Sequence, residues 1–213
     1  MRPQPTALGS PLAGRAESPA GERLPTVSHA AVIDPFAEIE RLRAEIEALR
    51  LRAEAAEAAA DHDVLTPALN RRGFMAAMRS AMAYCQRHAV PAVLLYLDLD
   101  GFKGVNDRLG HAAGDAALVH VAELMLANLR ESDAVGRLGG DEFGLLMLNA
   151  GLDEGRDKAR RLAAALEAEP FFWEGEAAGL GGSFGVRAFA GHTDAEVWLA
   201  EADAAMWVRK KGR

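Results

Sequence analysis

From Ile39 onward, apolar residues return at alternating spacings of three and four: Ile39, Leu42, Ile46, Leu49, then Ala53, Ala56 and Ala60. That is a heptad seam on a strongly helix-forming stretch. With Ile39 at position a, the g residues Glu38, Glu45 and Arg52 precede the e residues Arg43, Arg50 and Glu57. Each g would face an e of opposite sign in a parallel pair, so residues 35–60 are expected to form a coiled-coil helix. A lone amphipathic helix packed on its own domain is the other outcome of the same pattern. Before it, residues 1–34 have no periodicity and carry Pro3, Pro5, Pro11, Pro19 and Pro25. A segment of that kind buries too little apolar surface to offset its ordering entropy, and a disordered tail is expected.

After residue 60 the pattern is that of a compact domain, 61–213. Thr66-Pro67 reads as a helix N-cap with proline at the first helical position, the helix running to about His88. The continuous apolar run from Ala92 to Asp98 predicts a central strand. A polar loop leads to a helix from about Gly114 to Leu129. Two strands, Ala134–Leu138 and Glu142–Leu148, flank Gly139-Gly140 and predict a hairpin. A helix over Leu152–Glu169, a strand over Gly182–Phe189 and a helix from Asp194 to about Lys211 complete the order α-β-α-β-β-α-β-α. The expected class is α+β, an antiparallel-containing sheet covered by helices.

Composition narrows the function. The chain has 213 residues and a formal net charge of −7, which argues against a basic face for nucleic acid. The lone cysteine, Cys85, excludes an intrachain disulfide; a buried place in a helix is expected for it. The longest apolar stretch, about 89–97, falls far short of the ~20 residues of a membrane helix, and the N-terminus has no hydrophobic signal core. A cytoplasmic protein without a membrane segment is expected.

The chemistry concentrates at strand ends. Asp98 closes the first apolar run, and Asp141 sits at the hairpin turn beside Glu142. If the two strands are neighbours, these acids converge, and hard divalent cations take such oxygens. Solvated strand-end acids are the bland alternative. Asp98-x-Asp100 opens like a calcium loop, but Phe102, Lys103 and Leu109 stand where that loop needs an oxygen ligand, glycine and glutamate. There is no G-x-x-x-x-G-K-[ST] phosphate loop.

The run Gly139-Gly140-Asp141-Glu142-Phe143 resembles the signature of the GGDEF family, the diguanylate cyclases. Asp98-Leu99-Asp100-Gly101-Phe102-Lys103-Gly104-Val105-Asn106-Asp107, followed by Gly110-His111 and Gly114-Asp115, resembles the family's D-x-D-x-F-K-x-x-N-D…G-H…G-D block. Leu65-Thr66 with Leu69-Asn70-Arg71-Arg72-Gly73-Phe74 is similar to its opening element. Ser183-Phe184-Gly185-Val186 and Ala202-Asp203-Ala204-Ala205-Met206-Trp207 are similar to its late S-x-G-V and A-D-x-A-L-Y elements.

The resemblance implies a nucleotidyl-cyclase or palm-like fold that condenses two GTP into cyclic di-GMP with release of pyrophosphate, as a homodimer with Mg2+ or Mn2+. It implies that Asp98, the Leu99 carbonyl and Asp141 bind the metal, and that Asp141 and Glu142 are catalytic. Asn106 and Asp115 would read guanine; Gly101, Phe102, Lys103, Lys210 and Arg213 would hold phosphates. Arg130 and Asp133 fit R-x-x-D, the family's inhibitory site for the product, and Arg137 is a candidate neighbour of phosphate or of that site. His111 is expected as a turn residue, Asn70, Arg71 and Arg72 as ties at the helix start, and Trp207 as core.

Two departures bear on this. Pro67 and Ala68 replace the family's usual Gly-Leu. The family's K-x-x-G-R is one residue short in Arg209-Lys210-Lys211-Gly212-Arg213, so counting from Asp203 selects Lys210 and counting back from Arg213 selects Arg209. The family's short last strand also has no counterpart up to Arg213. A GGDEF domain that binds GTP or cyclic di-GMP as a signalling module, with weak or no catalysis, is therefore the alternative reading.

Overall fold

The computed structural model describes residues 34–211. The disordered tail expected over 1–34 and the phosphate role of Arg213 thus fall essentially outside the described residues. The chain divides into two units, Met1–Ile46 and Glu47–Arg213.

Helix α1, Pro35–Ala60, starts at Asp34, whose carboxylate accepts the Phe36 N–H at 3.0 Å. Its polar faces are laced by ion pairs of Arg41 with Glu38 and Glu45, and of Arg43 with Glu40. The seam residues Ile39, Leu42 and Ile46 are 43–50% exposed, so this apolar stripe stands open among the described residues of the first unit.

The second unit is built on one strand. β1, Ala92–Asp100, is hydrogen-bonded on both sides in a four-stranded antiparallel sheet of order β2-β3-β1-β6. Here β2 is Ala134–Arg137, β3 is Glu142–Leu148 and β6 is Gly181–Ala188. β1 has a helical layer on each face, which is why its apolar run is unbroken. Val93, Leu95, Leu97 and Leu99 point into one core with α4 (His111–Ala127) and α5 (Leu152–Ala168). Leu94 and Tyr96 point into the other, with α2 (Arg71–His88) and α6 (Ala195–Lys211). The alternation carries Asp98 and Asp100 onto the α2/α6 face. Cys85 is buried on α2, as expected.

Several expectations need correction. The helix does not begin at Thr66: Asp63 takes the Thr66 N–H at 2.9 Å and its hydroxyl at 2.8 Å. The cap is Asn70, which accepts the Gly73 N–H and donates to the carbonyls of Ala60 and His62. The supposed polar loop contains α3, Phe102–Leu109, and the following helix starts at His111 rather than Gly114. Gly110, at φ 87°, breaks the two apart, so His111 opens a helix. A two-stranded sheet of β4 (Phe171–Trp173) and β5 (Glu176–Ala178) adds to the expected order. Trp207 is not core: it is 53% exposed and capped by the Lys211 ammonium at 4.1 Å from the ring centroid.

Candidate functional site

Strand register assembles the acids. Asp98 lies opposite Glu142 on one side and Ser183 on the other. The hairpin turn folds over the end of β1, where the Leu99 N–H donates to the Asp141 carbonyl at 3.1 Å. Asp98, Leu99, Asp141 and Glu142 thus meet at one edge, as the sequence suggests. Asp100 joins them, accepting the Ser183 hydroxyl at 2.9 and 3.1 Å. Ser183 is buried, and this bond satisfies its hydroxyl. The partnership was not foreseen, although alternation along β1 puts Asp98 and Asp100 on one face.

A cation already sits among these acids. The Lys210 ammonium bonds Asp98 and lies 3.6 Å from Asp100. The hydrogen bond to Asp98 chiefly holds the Lys210 pKa above its ordinary value, against partial burial. A raised lysine pKa means the pair's stabilisation is complete below the ordinary lysine range and is lost only as pH rises through the folded value. The register of α6 also turns the two candidate cations toward different surroundings. Lys210 faces the acids, whereas Arg209 borders cavities along β6 with Arg160 and Arg156 of α5. Lys210 is in place to meet an anion drawn to this edge, but here it neutralises carboxylates.

The donor set suits a hard divalent ion. Among the described residues no three His, Cys, Asp or Glu side chains converge as a self-sufficient metal cage. Magnesium commonly takes only one or two carboxylates, completing its shell with water and phosphate oxygens. Carboxylates at Asp98 and Asp141, with backbone carbonyls between strand and turn, fit that pattern. The lysine ammonium against Asp98 and Asp100 shows that the site attracts positive charge.

The signature glycines have separate roles. Neither has φ in the left-handed region. A Cβ on Gly139 would stand 2.3 Å from Glu142 Oε2, so this glycine clears space for the neighbouring carboxylate. A Cβ on Gly140 would meet nothing within 4 Å, leaving the turn open outward. Arg137 does not line the cavity that Arg130 and Asp133 border. Its guanidinium donates to the Gly140 carbonyl at 2.8 and 3.2 Å and pairs with Asp63 at 3.2 Å, bracing the turn against the segment before α2. Burial pushes the Asp63 carboxyl up, but hydrogen bonds from Thr66 and Arg137 outweigh it and leave it below the usual range. That brace therefore holds above the ordinary aspartate range and weakens as pH falls through the lowered value.

The remaining residues lie on α3 and α4. Gly101, at φ 82°, precedes α3, and Phe102 and Lys103 open its first turn, where helix amides are free of intrahelical partners. Lys103 is exposed. The Asn106 side chain lies against Gly114 on α4, next to exposed Asp115. Asn70, Arg71 and Arg72 are ties, as expected: Asn70 caps α2, Arg71 pairs with Glu196 and Arg72 with Asp61.

Arg130 and Asp133 border a separate cavity of about 270 Å³ with Lys158 and Arg161. Asp133 is pinned by the N–H groups of Arg130 and Leu148, both at 3.2 Å, while the Arg130 side chain is exposed.

Residues 60–213 match the family model described as "Diguanylate cyclase, GGDEF domain". The chain is 43% identical over 159 residues to the protein named "Probable diguanylate cyclase DgcE" of Escherichia coli K12, covering 72% of this chain and 14% of that one. It is 38% identical over 156 residues to diguanylate cyclase TpbB of Pseudomonas aeruginosa, covering 71% and 35%. The chain thus spans well under half the length of these relatives. A solved microbial GGDEF domain, described for its interaction with bis-(3′,5′)-cyclic di-GMP, superposes with a TM-score of 0.62 at 40% identity, over 70% of this chain and 92% of that one. The acid edge, the hairpin that carries it and these matches agree, and the chain belongs to the GGDEF family of diguanylate cyclase domains.

Proposed function

We propose that the protein is a diguanylate cyclase, condensing two GTP into cyclic di-GMP as a homodimer. The observation that carries this reading is the strand register that brings Asp98, Asp141 and Glu142 to one end of the sheet, with Asn106 and Asp115 on the next two helices.

In the reaction a ribose 3′-hydroxyl of one GTP attacks the α-phosphorus of the other. A P–O bond forms, the bond to the β-phosphate oxygen breaks, and pyrophosphate leaves; repeating the step in the other direction closes the ring. Asp98, the Leu99 carbonyl and Asp141 would hold Mg2+ or Mn2+, which lowers the hydroxyl pKa and offsets phosphate charge when bound. Asp141 sits in the turn where it would orient the hydroxyl, with Glu142 in support. The free amides at Phe102 and Lys103, and the ammonium of Lys210, would hold the triphosphate. Asn106 and Asp115 would meet the donors and acceptor of the guanine edge. GTP consumption and a lone buried thiol suit a reducing, cytoplasmic setting. Among the described residues no helix is long and apolar enough to cross a membrane.

Residues 35–60 would pair two copies through the exposed seam, placing two half-sites within reach of each other. Arg130 and Asp133 would bind product and restrain turnover. The second reading, a binding module without catalysis, is favoured by the Lys210 ammonium, which already offsets the charge of Asp98.

Purified protein with GTP and Mg2+, its products resolved by chromatography, decides between the two. Cyclic di-GMP supports the enzyme; bound but unconverted GTP supports the module. Two variants extend the same assay. Arg130→Ala should sustain turnover late in the reaction, where identical progress curves would argue against product inhibition at this cavity. Replacing Ile39, Leu42 and Ile46 together with serine should make specific activity fall on dilution, and activity independent of dilution would place the dimer contact elsewhere.

A further inference from the structure

We infer that Gly114 is a specificity-determining residue: the hydrogen in place of its side chain seats the Asn106 carboxamide against α4 and so fixes the group that reads the base. The inference rests on the proposed guanine role of Asn106 and Asp115.

The observation is steric. A Cβ on Gly114 would stand 2.0 Å from Asn106 Oδ1, 2.9 Å from its Cγ and 3.3 Å from its Nδ2. The carboxamide therefore occupies the volume that any other residue at 114 would fill. Backbone bonds reinforce the seat. The Gly110 N–H donates to the Asn106 carbonyl at 2.9 Å, and the Gly114 N–H donates to the Gly110 carbonyl at 3.2 Å. Asn106 on α3 is thus tied to the residue beside Asp115 through the hinge at Gly110. Gly114 is buried, and its φ lies outside the left-handed region, so nothing in its own backbone requires glycine. Alanine is the better helix former. What glycine supplies is room for one polar side chain.

This separates specificity from stability. The clashing atoms belong to the far end of a rotatable side chain, so Gly114→Ala moves the amide without moving a helix. A displaced carboxamide no longer presents its donor and acceptor at a fixed distance from Asp115. Recognition by placed polar groups discriminates strongly between bases that match them and bases that do not.

The test uses two non-reacting ligands, 3′-deoxy-GTP and 3′-deoxyinosine triphosphate, which differ only by the exocyclic amine. Equilibrium binding to the intact chain with Mg2+ should favour the guanine ligand, and Gly114→Ala should reduce that preference about tenfold. Its melting temperature should match the parent's. In an Asn106→Ala background the same substitution should leave the binding ratio unchanged, because the group it displaces is gone. An unchanged preference in the single variant overturns the inference. So does a lost preference accompanied by a clear fall in melting temperature, which marks a packing role. Equal binding of both ligands by the parent overturns the base-reading assignment beneath it.

Discussion

Replacing Asp141 with alanine is expected to abolish cyclic di-GMP formation, lowering turnover at least ~100-fold, since even outer partners of a metal site typically cost 10- to 100-fold. The expectation follows from what the turn does and does not depend on. The fold uses the Asp141 backbone, whose carbonyl takes the Leu99 N–H. That bond survives alanine. The turn is held independently by the Arg137 guanidinium on the Gly140 carbonyl and by Asp63 behind it. Among the described residues no hydrogen bond or ion pair makes the Asp141 side chain a structural support. The variant should therefore fold, melt near the parent and still bind GTP through α3 and α4. Retained product formation would detach Asp141 from the chemistry and move the search to Asp98 and Glu142. Asn106→Ala in the same assay should fail through weakened GTP binding instead, so the two losses are distinguishable by substrate concentration.

The sequence makes some of this architecture plain and hides the rest for physical reasons. β1 is legible because burial on both faces demands an unbroken apolar run. The hairpin is legible because Gly139-Gly140 separates two such runs. Helix α3 is not: FKGVNDRL has one buried residue, Val105, and a glycine mid-helix. Its placement comes from packing against α4 and from the left-handed start at Gly101, neither of which leaves a periodic pattern. Strands β4 and β5 are three residues each, too short for alternation to register. Thr66-Pro67 imitates a helix start, but Asp63 claims the threonine and Asn70 provides the cap. Trp207 misleads by its size; it follows Met206, the last residue of the buried face of α6, and one step turns a helix by about 100°. At the site, strand alternation places Asp98 and Asp100 on one face. The Lys210 ammonium between them and the Arg137–Asp63 brace join residues 112 and 74 positions apart, contacts that only the folded chain reveals.

The largest loss of stability is expected from Gly185→Ala. β6 lies against α6 so closely that a Cβ at this position would stand 1.9 Å from the Ala202 carbonyl oxygen and 2.4 Å from the Met206 nitrogen. Both are backbone atoms inside a helix, so no rotamer change relieves the clash; α6 must move outward as a body or β6 must bend. The helix is anchored by Trp198, Leu199, Ala202 and Met206, all buried in the α2-side core. Shifting it opens gaps along that face while relieving one contact. Overpacking commonly costs 1–3 kcal/mol, and a clash without side-chain relief belongs at or above the top of that range. A loss of ~3–4 kcal/mol should lower the melting temperature by about 10 °C in a domain of this size. Gly104→Ala provides the control, because a Cβ there meets nothing within 4 Å and φ is not left-handed, so its melting temperature should hold or rise. The consequence reaches the chemistry, because α6 carries Lys210 to Asp98. Outward movement carries Lys210 away from the place where it would hold the triphosphate, so activity below the melting transition should fall with stability. A Gly185→Ala protein that melts with the parent would mean that β6 and α6 are not in this close contact, and the placement of Lys210 would lose its support.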